Sequence, residues 1–323
     1  VVDLAEARKK AKALKAEIAL GAVPRSEEKA RKAVPTLTEF IEDHYLPSVK
    51  PRKRTWWTDR DLFRLRLKPV FGHKRLNQIT RQQIQAFHTG VKAEGKSAST
   101  CNHYIKMLRH ALNLAVDWGM LDRNPAARVP LFHEDNQVEH YMNSDELDRL
   151  LHVLRTDSNR SVCLISLFLL STGARLNEAL TAQWQHEDRD RRVWRIPASN
   201  SKSKKVRSVP LNDSAIEVLD QLDSEKSFEH LFINRKTGKP YTTIYKIWTR
   251  LRKDAGLPHL RIHDLRHQYA SFLVNSGRTL YEVQQILGHS DPIVTQRYAH
   301  LSTRALQDAA NSASEAINGS KGG

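Results

Sequence analysis

The sequence predicts a mainly α fold with a small β-sheet, arranged as two domains. Three observations carry this. The chain has 323 residues, more than one ordinary core needs and suited to two, since domains typically hold about 100–200 residues. Apolar residues recur at helical spacing through most of its length. One pair of extended segments, Val193 to Pro197 and Val206 to Leu211, interrupts that pattern.

Taken in order, residues 3–20 carry Leu4, Ala7, Ala11, Leu14 and Ile18 at helical spacing among Lys and Arg, the pattern of a basic amphipathic helix. Gly21 and Pro24 stop it, and the charged stretch to Pro35 reads as a linker. From Thr36 to about Arg128 the period stays helical. Leu37, Phe40, Ile41, Tyr45 and Leu46 begin it, Trp57, Leu62, Leu65 and Leu67 follow, and Ile105, Leu108, Leu112, Ala115 and Trp118 close it. Four or five helices are expected there. Pro125, Pro130 and the polar run His133 to Gln137 mark a second linker, at 129–140.

The remainder, 141–302, mixes helices with the two extended segments, which form a β-hairpin whose long basic tip carries Lys202, Lys204 and Lys205. The apolar run Val162 to Leu170 falls well short of the roughly 20 residues of a membrane span and reads as a buried helix. Residues 303–323 hold Leu306, Ala309, Ala310, Ala313, Ala316 and Ile317 on one helical stripe, a tail helix.

The charge points to a partner. Lys and Arg number 52 against 36 Asp and Glu, a formal +16, and neutralising phosphates releases condensed counterions, so nucleic acid leads. Forty per cent hydrophobic and 27% charged residues exclude a disordered or fibrous chain. Cys101 and Cys163 match no metal or disulfide spacing, which fits a reducing cytoplasmic setting.

Three motifs carry chemistry. In His263-Asp264-Leu265-Arg266-His267 a spacing of three puts His263 and Arg266 on one helix face, where Arg can grip a phosphate with two donors. A zinc site through His263 and His267 is the rival reading, weakened by Asp264 in place of a longer Glu and by the Arg266 charge. In Thr172-Gly173-Ala174-Arg175-Leu176-Asn177-Glu178, Thr172 or Gly173 caps a helix, with Arg175 in its first turn and Glu178 one turn on to orient the guanidinium. An Arg at that end gains nothing from the helix dipole, so a phosphate explains it. Last come Gly288-His289 and, nine residues beyond His289, Tyr298.

In order and separation, TGARLNEAL, HDLRH and LGHSDPIVTQRYAHL resemble the three signature boxes of the tyrosine recombinases, the lambda-type phage integrases. The resemblance implies a helical, SAM-like core-binding domain at 36–128 and an α+β catalytic domain at 141–302. Residues 1–35 then look like the remnant of an arm-binding region, whose domain is expected to be missing, and 303–323 like a tail docking on a neighbouring protomer. It implies site-specific cleavage and rejoining of DNA through a 3′-phosphotyrosine at Tyr298, with no cofactor, metal or ATP. Arg175 and Arg266 would clamp the phosphate, His289 would donate to it, and His263 would accept the phenol proton. Lys202, at the hairpin turn before Arg207-Ser208-Val209-Pro210-Leu211, best matches the general acid, with Lys204 and Lys205 as rivals.

The expected partners are double-stranded attachment sites, three further copies of the chain in a tetramer on two duplexes, and a DNA-bending accessory protein, with no membrane. Lys50, Arg52, Lys53 and Arg54 are candidate backbone contacts, and Ser97, Ser99 and Thr100 begin a helix suited to a groove. A DNA-binding regulator derived from an integrase and a type IB-like topoisomerase are the alternatives.

Overall fold

The computed structural model describes residues 4–19, 34–134, 140–200, 205–225 and 227–301, with residues 307, 310 and 311. Contacts divide the chain into two units, Val1–Gln137 and Val138–Gly323. Helices dominate both, and the described strands lie in the second.

In the first unit, helix α1 (Leu4–Ala19) carries exposed side chains wherever they are described. Four longer helical stretches pack around one core: α2 over residues 37–49, α3 over residues 56–71, α4 (Arg81–Ala93) and α5 (Ala98–Asp117). Their starts are written in the sequence. Thr36 with Glu39, and Thr80 with Gln83, form reciprocal caps, and Ser97 accepts from the Thr100 N–H.

Helices α2 and α3 each bury a row at a spacing of four, Leu37, Ile41, Tyr45 and Val49 in one, with Phe40 buried beside it, and Asp59, Phe63, Leu67 and Phe71 in the other. A regular turn of 3.6 residues would let such a row drift around the helix. Each helix corrects the drift with widened π turns, Phe40–Tyr45 and Phe63–Leu67, in which the Leu46 and Lys68 N–H groups reach back five residues to Ile41 and Phe63. This overturns part of the expected stripe. Trp57 and Leu65 are 46% and 60% exposed, because the widened turn hands the buried face to Phe63. Trp118, the last residue of the α5 stripe, is also exposed, as it forms the cap beyond the helix.

The second unit is built on α7 (Arg160–Thr172), the predicted apolar helix, flanked by α6 (Ser144–Thr156). Short α8 (Leu176–Leu180) follows, then α9 (Asp213–Asp220) and α10 (Tyr245–Asp254). The last three helices are α11 (Asp264–Asn275), α12 (Leu280–Leu287) and α13 (Pro292–Gln296). Phe168 of α7 packs against Trp194 and Phe232 at the centre of the core. Among the described residues no helix is long and apolar enough to cross a membrane.

The predicted hairpin is β2 (Val193–Ile196) against β3 (Arg207–Pro210), antiparallel, pairing Trp194 with Val209 and Ile196 with Arg207. A two-residue strand, β1 (Glu187–Asp188), extends it, and a second small hairpin joins β4 (Ile233–Asn234) to β5 (Lys239–Pro240). Neither was expected, since two residues are too few to show an alternation. Of the hairpin tip, Lys205 is exposed, while Lys202 and Lys204 lie outside the described residues. So does most of the tail, 303–323.

Candidate active site

Helix α7 ends on Gly173, whose φ of +62° is the left-handed conformation that glycine tolerates best. Any Cβ there would lie 2.4 Å from the Tyr269 ring and 2.8 Å from the Leu287 side chain. This corrects one expectation. Gly173 closes α7 instead of capping the next helix, and Arg175 itself is the N-cap of α8. Glu178 accepts the Arg175 backbone N–H at 2.9 Å and its guanidinium at 2.8 Å, the orienting contact expected of it.

Arg266, one turn into α11, is buried, and donates to the carbonyl of Gly173 at 2.6 Å and that of Leu287 at 2.8 Å. Burial, followed by the nearby Arg175 and Arg207 charges, brings its pKa down to about 9. A guanidinium in that state is short of a counter-anion.

A third arginine completes the cluster. Arg207 points into the protein from β3, donating to the carbonyls of Ile286 and Leu287 and, at 3.0 Å, to Glu178. It lies directly under Gly288, where an added Cβ would come within 2.1 Å of its Cδ. The sequence reading passed over it, although the signal was present. Val209 and Leu211 face the core, so the period of two puts position 207 inward as well.

Arg175 and Arg207 therefore share one carboxylate, and Arg207 and Arg266 share the last carbonyls of α12, the negative end of a helix dipole. Arg175 reaches toward the Gly288 carbonyl, 3.5 Å away. The surplus of two positive charges suits an anion.

The Glu178–Arg207 pair is buried on both sides, which gives a stability test. Arg207→Met is expected to cost roughly 2–4 kcal/mol, because it strips a buried carboxylate of one partner. Adding Glu178→Gln should restore most of the loss. Urea unfolding followed by tryptophan fluorescence checks both, and a single variant as stable as the parent would remove the pair from the framework of the site.

Two histidines and the tyrosine stand beside the cluster. His289 Nδ1 lies 2.8 Å from the Thr295 hydroxyl, and its ring stacks on Tyr298 at 6.5 Å. Burial first, then Arg266 and Arg175, hold His289 down to about 3, so it is neutral near pH 7. If Thr295 donates to Nδ1, the proton sits on Nε2, free to be donated outward.

Tyr298 is almost fully buried, at 1% exposure, among Tyr269, Val274, Val283 and Leu287. Its hydroxyl lies 2.8 Å from Nδ1 of His267. The phenol thus meets His267 here, while the expected proton acceptor is His263. His263 stands edge-on against His267 with ring centres 5.0 Å apart. One helical turn separates the two histidines, and the more buried one, facing the core, is where the hydroxyl is held. The crowding of His263, with Arg266 beside it, lowers its pKa, and burial takes His267 down to about 4.

Asp264, the acid of the rival zinc reading, is bound at 2.6 Å by Arg261, whose backbone N–H it also accepts at 2.7 Å. It braces the start of α11.

The expected DNA contacts lie in the first unit. Lys50 sits 5.1 Å over the Trp56 ring, Arg52 and Arg54 are exposed, and Ser97, Ser99 and Thr100 open α5. Lys53 is already engaged, 2.7 Å from the buried Asp59, which also accepts from the Tyr45 hydroxyl.

Comparison with known proteins gives two family matches: "Phage integrase family" over residues 140–304, half of the chain, and "Phage integrase, N-terminal SAM-like domain" over residues 36–91. Tyrosine recombinase XerC of Bacillus licheniformis is 27% identical over 252 residues, covering 74% of this chain and 82% of that protein. The integrase of Salmonella phage P22 is 30% identical over 216 residues, 64% of this chain and 54% of its own. Among solved structures, a lambda integrase dimer bound to a COC′ core site matches 82% of this chain and 95% of that one, at 20% identity and a TM-score of 0.70. The Tn1549 transposon integrase in complex with transposon right end DNA matches 87% and 100%, at 18% identity and the same TM-score of 0.70. At these identities the solved structures speak for the fold.

Proposed function

We propose, on the premise that this chain belongs to the phage integrase family and is a tyrosine recombinase, that Tyr298 attacks a DNA phosphodiester held by Arg175, Arg207 and Arg266. The observation that carries this reading is the arginine cluster with its two surplus positive charges, set beside the buried phenol. Charge grows on the nonbridging oxygens in the transition state, and fixed donors aimed there stabilise it more than the ground state. His289, kept neutral, donates from Nε2. The leaving 5′-oxygen takes its proton from a hairpin lysine, Lys202 in our assignment. The bond energy is kept in a 3′-phosphotyrosine, so rejoining needs no ATP.

Tyr298 is buried at 1% exposure with its hydroxyl on His267, whereas attack on DNA needs the phenol at the surface. DNA binding must therefore draw it away from His267, whose imidazole, with a pKa of about 4, is too weak a base to take the phenol proton there. His263, one turn before His267 on α11, is our assignment for the acceptor once the tyrosine has swung out.

We further assign residues 36–128 as the core-binding domain, with Lys50, Arg52, Arg54 and the start of α5 on DNA, residues 141–302 as the catalytic domain, and the tail 303–323 as a contact between protomers. The working partners are duplex attachment sites and a tetramer of this chain across two of them, in the cytoplasm with the nucleoid. A nicked suicide substrate carrying the element's ends tests the reading. A covalent adduct mapped to the peptide holding Tyr298 supports it, and an adduct at Tyr269 or Tyr281 overturns it.

The same histidines set a pH dependence. The unfolded His267 titrates near 6.5 and the folded one near 4, so between these values the unfolded chain binds more protons. Stability is then lost as the pH falls from 6.5 toward 4, by about 3 kcal/mol for His267, with His289 acting in the same direction. Urea midpoints at pH 7 and pH 5 measure it. His267→Gln should flatten the dependence, and an unchanged slope in that variant would place the titration elsewhere.

A further inference from the structure

Away from the arginine cluster, three potential ligand atoms meet at another point of the second unit. His140, Glu146 and His259 bring one donor atom each within 4.8 Å of one another, the one such group of histidine, cysteine or carboxylate donors among the described residues. We propose that these three residues hold a Zn2+ ion that ties the start of the second unit to the loop leading into α11.

The geometry supports an ion of this kind. The two imidazole Nε2 atoms are 2.9 Å apart, and the His140 Nε2 lies 3.6 Å from a Glu146 carboxylate oxygen. Zinc bonds of about 2.0–2.2 Å in a tetrahedral arrangement separate neighbouring donors by about 3.3 Å, a value between these two distances. The third pair, Glu146 and His259, is bounded only at 4.8 Å, so side-chain rotation has to draw these two donors closer around the ion. The rings stand edge to face, 79° apart with centres at 4.2 Å, so two nitrogens converge without the rings colliding.

Glu146 is already fixed, because the same carboxylate oxygen accepts the Asn143 N–H at 3.1 Å in the cap of α6, and its remaining lone pairs can face a metal. Two imidazoles and one carboxylate select a borderline ion such as zinc over Mg2+ or Ca2+, which prefer all-oxygen shells. Water fills the fourth position.

The placement gives the ion a job. Met142, two residues after His140, exchanges hydrogen bonds with Gln268 of α11, its N–H donating at 2.7 Å. His259 precedes His263 by four residues. A metal joining His140 to His259 adds a second strap beside the Gln268 pair, and it fixes the loop that presents His263. It takes no part in strand transfer and lies outside the arginine cluster.

The test uses the full chain, stripped with a chelator and titrated with zinc sulfate in a calorimeter. One Zn2+ per chain is expected, with no competition from Mg2+. His259→Ala and His140→Ala should each weaken binding by at least about tenfold. Hydrogen exchange in residues 257–263 should slow on adding zinc to the parent and stay unchanged in His259→Ala, whose exposed side chain can be removed without opening a core. Absence of stoichiometric binding, or binding unaltered in both histidine variants, overturns the site. The titration involves no DNA, so its outcome stands apart from whether the chain recombines its sites.

Discussion

Replacing Tyr298 with Phe is expected to abolish covalent attachment to a suicide substrate while leaving DNA affinity within a few-fold of the parent. Only the phenolic oxygen is lost. The ring keeps its packing against Tyr269, Val274, Val283 and Leu287, so the unit should fold. The missing hydroxyl leaves Nδ1 of His267 without that bond, a cost of about 1 kcal/mol. The proposed phosphate clamp of Arg175, Arg207 and Arg266 does not involve the hydroxyl and should continue to grip DNA. Denaturing gels for the adduct and mobility shifts for affinity separate the two effects. An adduct persisting in Tyr298→Phe would show that another residue is the nucleophile.

Arg266→Ala is expected to slow cleavage at saturating substrate by at least 10²–10³-fold, about 3–4 kcal/mol, the typical loss of one donor aimed at a developing oxyanion. It should also destabilise the unit, because the carbonyls of Gly173 and Leu287 lose a buried donor. Arg175→Ala separates these contributions. That side chain is half-buried and is one of two arginines on Glu178, with Arg207 left to hold the carboxylate, so its removal should reduce the rate comparably at a smaller cost in unfolding midpoint than Arg266→Ala. Arg266→Lys should not rescue, since one ammonium cannot span the two carbonyls and a phosphate. Single-turnover rates decide it, and variants within a few-fold of the parent would leave both arginines as scaffolding.

Much of this architecture is visible in the residue pattern, and the exceptions have identifiable causes. Helix α5 and the hairpin follow the rules of period directly: Ile105, Leu108, Leu112 and Ala115 are all buried, as are Trp194, Ile196 and Val209. A regular 3.6-residue turn puts Leu65 and Trp57 inside, and no residue type announces the π turn that leaves them exposed.

At the site, Arg175, Arg266, His289 and Tyr298 stand in motifs, so they were found, whereas Arg207 stands in a strand and looks like one more surface cation. The strand's period of two, which turns position 207 inward with Val209 and Leu211, is what distinguishes it. His267 was legible as a histidine but not as the partner of Tyr298, because that contact spans 31 residues. The hydroxyl's burial is likewise a property of packing, invisible in the chain order.

The rows of four in α2 and α3 have an evolutionary reading as well. Each helix carries one residue more than a regular α path over the same face requires. Excising an outward residue from a widened turn, Asp43 or Arg64, would turn spacings of four into the mixture of three and four that an ordinary helix uses. The apolar row would survive. In α5, which already runs on regular turns, the same excision would rotate everything beyond it by about 100° and carry Leu108 and Leu112 out of the core. Helices that look alike in length and composition thus differ in how they absorb a codon lost or gained, and α2 and α3 are where such a change does least harm.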